Sequence, residues 1–386
     1  MLELLALLLP IAAASGWFIA RRQYAADRRF HRVRELNASY TRGLEYMLQD
    51  RVEEALDLLS ETAATDTEGR ELRLAIGNFF RRRGEVDKAL AVHEALLSQA
   101  GLTEPFRSRI QLELGTDYSA AGLLDRAEGI FIALQDRPDF STCSLESLLR
   151  IYEREREWEK AIDCLKRLRR SQKPLHRETI AQFYCELAQQ EHDAGRDDDA
   201  LALTEAALRD DPKCARALLQ RARLLAGRRE WSELTAILTM LERHAPVFLP
   251  EILDLGILLH AARKDEEGLI AWLTHLHKDC GCSEAAVLLS ERLAAEKSVA
   301  AATDYVLSAI SSSPSVPLTR RLLALMKQSS TEEQLAALPS VMLALHSLLP
   351  PRTRRYNCSQ CGFTASEIYW RCPSCQYWET IKPVTE

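Results

Sequence analysis

Glycine and proline are scarce in this chain, at 15 and 14 of 386 residues. Loops are therefore expected to be short and regular elements long. Before the last thirty positions no segment alternates β-branched residues, which excludes a large sheet. Charge of one sign is lacking too: a formal net charge of −6 gives no general pull toward nucleic acid. Catalytic signatures are absent. There is no Gly-rich phosphate loop, no H-E-x-x-H and no G-x-S-x-G, and the nine histidines are dispersed. His275 and His277, two apart, do not share a helix face. The expectation is a non-enzymatic protein. Leu, Ala, Glu and Arg dominate the middle of the chain, and all four favour helix. The bulk therefore reads as all-α.

A repeat runs through that helical middle. A small residue is followed twelve positions later by another: Gly43 and Ala55, Gly77 and Ala89, Gly115 and Ala127, Ala188 and Ala200, Gly256 and Gly268, Ser290 and Ala302. Leu149 with Ala161 and Ala222 with Leu234 are weaker members of the same frame. Successive units step by 34 residues, apart from two steps of 38 and 39. The longer steps are expected to hold insertions around Gly101 to Pro105 and around Pro174 to Arg177. An aromatic sits three residues after the first small position: Tyr46, Phe80, Tyr118 and Tyr152. Pro138, Pro174, Pro212, Pro246 and Pro314 fall where units should close.

This pattern resembles the tetratricopeptide repeat, which implies a right-handed solenoid of antiparallel helix pairs. Small residues are expected where helices A and B of a pair approach, with the aromatic filling the space beside them. Turns between A and B are read at Arg83-Gly84-Glu85, Ala121-Gly122-Leu123, Ala194-Gly195-Arg196 and Gly227-Arg228-Arg229. About eight units span residues 36–314. Residues 315–351 read as capping helices. The resemblance also implies a groove, lined mainly by helix A, for an extended peptide or a partner's helix.

At the other end, Leu4 to Ala20 carries no charged side chain. Residues 1–20 read as a membrane-spanning helix at the short end of the usual ~17–25 residues. Pro10 is tolerable there, and Trp17 falls at interfacial depth. A cleaved signal peptide needs a basic start, which Met1 to Leu9 lacks. Arg21, Arg22, Arg28, Arg29, Arg32 and Arg34 follow the span. The segment 21–35 is thus expected against anionic headgroups, with the body in the cytoplasm.

Ten cysteines complete the inventory. Cys143, Cys164, Cys185, Cys214, Cys280 and Cys282 are scattered, and read as unpaired thiols of a reducing compartment. Cys280 and Cys282 form a C-x-C pair, read as loop thiols rather than ligands. Cys358, Cys361, Cys372 and Cys375 differ. Two C-x-x-C turns facing each other can bring four thiolates into one tetrahedral site for a single iron or zinc ion. Turn amides are expected to donate to the sulfurs, Gly362 to supply a positive φ, and the ten residues between the pairs to form a short hairpin. Residues 352–386 are too few for a core of their own, so metal binding should contribute to folding. The surplus aromatics Tyr356, Phe363, Tyr369, Trp370, Tyr377 and Trp378 suggest docking on the last helices.

The module resembles rubredoxin-type and zinc-ribbon knuckles through C-x-x-C-G and C-P-x-C. It departs from rubredoxin in its short central gap and in Gln376, where glycine is usual. The whole chain is similar to the lipopolysaccharide assembly protein B family of Gram-negative bacteria. The stretches that carry the likeness are Gly77 to Val86, Phe183 to Ala188 and Cys358 to Pro383. That resemblance implies an inner-membrane scaffold that works with the protease FtsH to promote degradation of the LpxC deacetylase. It also implies an inner-membrane regulator, LapC (YejM). A redox or iron-sensing role for the metal is the alternative reading. Arg352, Arg354, Arg355 and Arg371 hint at nucleic acid, but the acidic balance opposes it and no nucleic-acid partner is expected. A homodimer is left open.

Overall fold

A computed structural model describes residues 67–171, 177–329 and 356–384, together with Arg42, Gly43, Glu45, Tyr46, Arg51 and Glu54. The expected membrane span and basic segment lie outside the described residues, as do Pro174 and residues 330–351 of the expected capping helices. Among the described residues no helix is long and apolar enough to cross a membrane. The architecture is a mostly helical, tetratricopeptide-like solenoid, with a small β module formed by the C-terminal residues of the chain. It divides into two compact units, Met1–Glu155 and Arg156–Glu386.

In the first unit, α1 (Thr67–Arg82) pairs with α2 (Val86–Leu97), and α3 (Glu104–Ala120) with α4 (Leu124–Leu134). Helix α5 (Ser141–Glu155) follows. The second unit opens with α6 (Trp158–Ser171) and continues with α7 (Arg177–Asp193), α8 (Asp197–Asp210), α9 (Ala215–Arg228) and α10 (Trp231–His244). A 3-10 helix (Pro246–Ile252) leads into α11 (Leu253–Arg263), α12 (Glu266–Lys278), α13 (Ser283–Glu296), α14 (Val299–Ser312) and α15 (Val316–Ser329).

The repeat frame is written in the backbone. Positive-φ residues close the A helices at Gly84, Gly122, Arg156, Gly195 and Arg229, each seven positions after the first small residue of its unit. At such ends the amide beyond the turn donates back into the helix: Glu85 N to Phe80 O, Leu123 N to Tyr118 O, Arg196 N to Glu191 O and Glu230 N to Leu225 O. The fourth turn differs from expectation. Helix α9 runs through Gly227, and Arg229 takes the left-handed conformation instead, at φ 61°.

The A–B contact also differs from the expected meeting of two small residues. A Cβ on Gly77, Gly115 or Gly256 would fall 2.2, 2.9 or 2.0 Å from the rings of His93, Phe131 and Trp272. Each bare glycine backbone therefore receives a ring from sixteen positions on, which buries more surface than a second small side chain could. Ala89 and Ala127 are buried alongside. Of the aromatics, Phe80 is fully buried. Tyr118 and Tyr152 reach to the preceding helix, where their hydroxyls donate to Glu94 at 2.7 Å and Glu128 at 2.9 Å. The first unit also encloses charge. His93 Nδ1 lies 2.5 Å from Asp117 Oδ2, and Arg81 donates to Asp117 Oδ1 at 2.7 Å.

The step expected around Gly101 to Pro105 is a turn: Gly101 has φ 73°, and Pro105 falls in the first turn of α3. Pro246 does not simply close a unit. It opens the 3-10 helix, which buries Phe248, Leu249 and Ile252. That element becomes part of the seat for the C-terminal module.

Candidate metal centre

The module is a three-stranded antiparallel sheet with β1 (Tyr356–Cys358) between β2 (Thr364–Ala365) and β3 (Ile381–Pro383). The ten-residue gap does not form a hairpin of its own. It supplies β2, while β1 also pairs with β3 from beyond the second knuckle.

The two C-x-x-C turns share one hydrogen-bond plan. Cys358 N donates to Phe363 O at 2.8 Å and Gly362 N to Cys358 O at 3.0 Å. In the second turn Cys372 N donates to Tyr377 O and Gln376 N to Cys372 O, both at 2.9 Å. Gly362 sits at φ 74°, as expected. Gln376 holds the matching position at φ 62°, steadied by its Nε2 donating to Pro373 O at 2.8 Å. The knuckle thus forms without glycine, at a conformational cost.

This arrangement brings all four expected cysteines together. Their sulfurs lie within 4.8 Å of one another. Cys358 and Cys375 are 3.7 Å apart, and Cys361 and Cys372 3.6 Å. A tetrahedron with metal–sulfur bonds of about 2.3 Å has edges of about 3.8 Å, so the donor set fits one ion. Among the described residues no other group of three or more His, Cys, Asp or Glu side chains is so placed. Cys280 and Cys282 stay outside, in the turn between α12 and α13.

The electrostatics favour thiolate at Cys358 and Cys361. Burial pushes the Cys358 thiol up, but Thr380 Oγ1 at 3.2 Å and the amides of Cys361 and Gln360 outweigh it and bring it to about 6. The Phe363 amide lowers Cys361. The Tyr377 amide also acts downward on Cys375, yet burial and three neighbouring sulfurs push it to about 11. Four thiolates cannot crowd together without a cation to balance them.

The module's contacts among the described residues fall on α6, α7, α9 and the 3-10 helix, while most of the last helices expected as its seat, residues 330–351, lie outside the described residues. Trp378 meets Trp158 and Phe183 edge-on, at centroid distances of 6.3 and 5.9 Å. Trp370 packs 5.5 Å from Phe248, with the Arg216 guanidinium 6.0 Å from its ring. The Tyr356 hydroxyl donates to Glu251. The physical reason is the supply of ring pockets. Trp158, Phe183 and Phe248 are buried rings, whereas α15 contains no aromatic side chain. Tyr369 and Tyr377 remain exposed. Thr380, Glu379 and this seat went unnoticed in the sequence, because the seat residues lie outside the repeat pattern.

Fold and site together define a class: a tetratricopeptide-type scaffold carrying a rubredoxin-type four-cysteine module. A family model described as "Rubredoxin metal binding domain" matches residues 356–383, and one for the tetratricopeptide repeat matches 72–107 and 144–178. "Lipopolysaccharide assembly protein B" of Escherichia coli (strain K12) is 34% identical over 391 residues, covering 100% of this chain and 98% of the relative. The protein of that name from Haemophilus influenzae is 29% identical over 396 residues, covering 100% and 99%. The chain belongs to the lipopolysaccharide assembly protein B family. These relatives are named as assembly proteins, not enzymes, in keeping with the reading from sequence. A solved tetratricopeptide repeat protein from Parabacteroides merdae matches with 18% identity over 67% of this chain and 98% of its own, at a TM-score of 0.31, too low to argue from.

Proposed function

We propose that this chain is an inner-membrane-anchored cytoplasmic scaffold that restrains lipopolysaccharide synthesis by presenting the LpxC deacetylase to the protease FtsH. Residues 1–20 anchor it, Arg21 to Arg34 lie against anionic headgroups, and LapC restrains it through the membrane-proximal region. Anchoring raises the effective concentration of protease and client for each other. The observation that carries this reading is family membership over the full chain, joined to a module packed onto the repeat helices. Cys358, Cys361, Cys372 and Cys375 hold one iron or zinc ion. When bound, that ion supplies a cross-link between the two knuckles. Trp370, Trp378 and Tyr356 then hold the folded module on the scaffold.

A crosslinking pull-down from membranes tests the reading, comparing the intact chain with a Cys358→Ser, Cys361→Ser variant. The intact chain should recover FtsH and LpxC, and the variant should lose LpxC. Recovery of neither by the intact chain overturns the adaptor role. One observation favours a rubredoxin-like redox or iron-sensing role: Cys361 is exposed at the module surface. A red protein with a reversible iron couple would support that role, and a colourless protein with stoichiometric zinc excludes it.

A further inference from the structure

Two cysteines outside the metal centre are brought together by the fold. Cys185 lies within α7, and Cys214 caps the start of α9. Both are fully buried, and their sulfurs are 4.0 Å apart. The small side chains of Ala181, Ala207 and Ala217 pack with them. Gln182 Nε2 donates to Cys214 Sγ at 3.4 Å. The Oε1 of the same amide is buried and finds no hydrogen-bond partner among the described residues. Tyr184 and Leu208 pack beside the cluster, and a further neighbour comes from the metal module: Glu379 Oε1 lies 3.6 Å from Cys214 Sγ. Glu379 is held there by Trp378, the adjacent residue, wedged against Trp158 and Phe183.

A disulfide has its sulfurs about 2.05 Å apart, so the pair needs a closure of about 2 Å. Small neighbours and an amide with a spare acceptor leave room for that movement. With the module seated, water and oxidant have no path to the sulfurs. The nearby Cys185 sulfur and burial also hold the Cys214 thiol well above its ordinary value, so the covered pair stays reduced. Lifting Glu379 opens a path to the sulfurs and relieves part of the burial that raises the Cys214 thiol, while the Cys185 sulfur stays in place.

We propose that Cys185 and Cys214 form a redox-active pair guarded by the metal module, reduced while it is seated and oxidised to a disulfide when it lifts. The oxidant is hydrogen peroxide. One thiolate attacks the peroxide oxygen, the O–O bond breaks to give a sulfenic acid, and the leaving oxygen departs as water. The second thiolate attacks the sulfenic sulfur, forming the S–S bond and releasing a second water. Two thiols are oxidised and one peroxide is reduced to two waters. The new bond ties α7 to α9 and draws Cys214 Sγ away from the place where Glu379 rests. Loss of the module's seat is thereby recorded in the scaffold.

The test uses the full chain with its metal, exposed to hydrogen peroxide, quenched with an alkylating reagent and digested for mass spectrometry. The readout is the rate at which the Cys185–Cys214 linked peptide appears. Trp378→Ala should raise that rate by about ten-fold or more over the parent, because oxidation follows the population of the open state. Glu379→Ala, which uncovers Cys214 with less loss of packing, should raise it several-fold and serves if Trp378→Ala does not fold. Equal rates in the parent and the folded variant overturn the proposal. So does the absence of the linked peptide in every protein, or its replacement by links from Cys185 or Cys214 to the C-terminal cysteines.

Discussion

Helix α9 buries Ala217, Leu218, Leu219, Ala222 and Leu225 to 2% exposure or less, whereas the whole module of residues 356–384 buries only Tyr356, Cys358, Cys372 and Ile381 among its apolar side chains. Two of those four are metal-ligand candidates. Within each compact unit the described helices hold together by stacking on their neighbours. The module has almost no core and depends on an ion within and a seat without. The same chain thus contains one region that should tolerate loss of any single contact and one that should not.

Metal removal should separate the regions most sharply. Chelation, or Cys358→Ser with Cys361→Ser, removes an interaction of about 10 kcal/mol from the module. Fluorescence of Trp370 and Trp378 should shift to the red, while far-UV circular dichroism keeps its helical signal. A parallel loss of helix would mean that the repeats depend on the ion as well. Next in size is Trp378→Ala, which empties the space beside Trp158 and Phe183. A half-buried tryptophan should cost about 3 kcal/mol here, read as faster proteolysis around residues 356–384 with the metal retained.

Within the repeats the expected effects are smaller and depend on what each glycine faces. Gly256→Ala drives a Cβ to 2.0 Å from Trp272, and overpacking should cost about 1–3 kcal/mol in urea unfolding. Gly129, inside α4, has nothing within 4 Å of the same position. Gly129→Ala should therefore stabilise by up to about 1 kcal/mol through helix propensity. Equal signs at the two sites would refute the ring-on-glycine account. The smallest effect is expected at Gln376→Gly, which relieves a left-handed residue at φ 62° but forfeits the side-chain bond to Pro373. A gain of about 0.5–1 kcal/mol in competition with a chelator is the outcome to look for.

Some of this is legible in the sequence itself. The twelve-residue spacing of small residues put the turns at Gly84, Gly122 and Gly195, since helix pairs of fixed length must turn at a fixed place. The two C-x-x-C segments named their four sulfurs because the turn itself brings each pair together. Other features were not legible. Residue type alone favours Gly227 as the left-handed residue of its turn, but the repeat frame prevails and places it at Arg229, seven positions after Ala222. Nor does spacing reveal that Gly77 faces His93 rather than Ala89.

Sequence alone thus determined the repeat, its period, the cysteine set and the family, all of which depend on residues close in the chain or on whole-chain likeness. Tertiary structure decided where the module rests and which buried thiols meet. Trp158, Phe183 and Phe248 are far from Trp378 and Trp370 in sequence, and Cys185 is 29 residues from Cys214. Such contacts arise from the stacking of helices, which places ring pockets and sulfurs by geometry that no local pattern encodes.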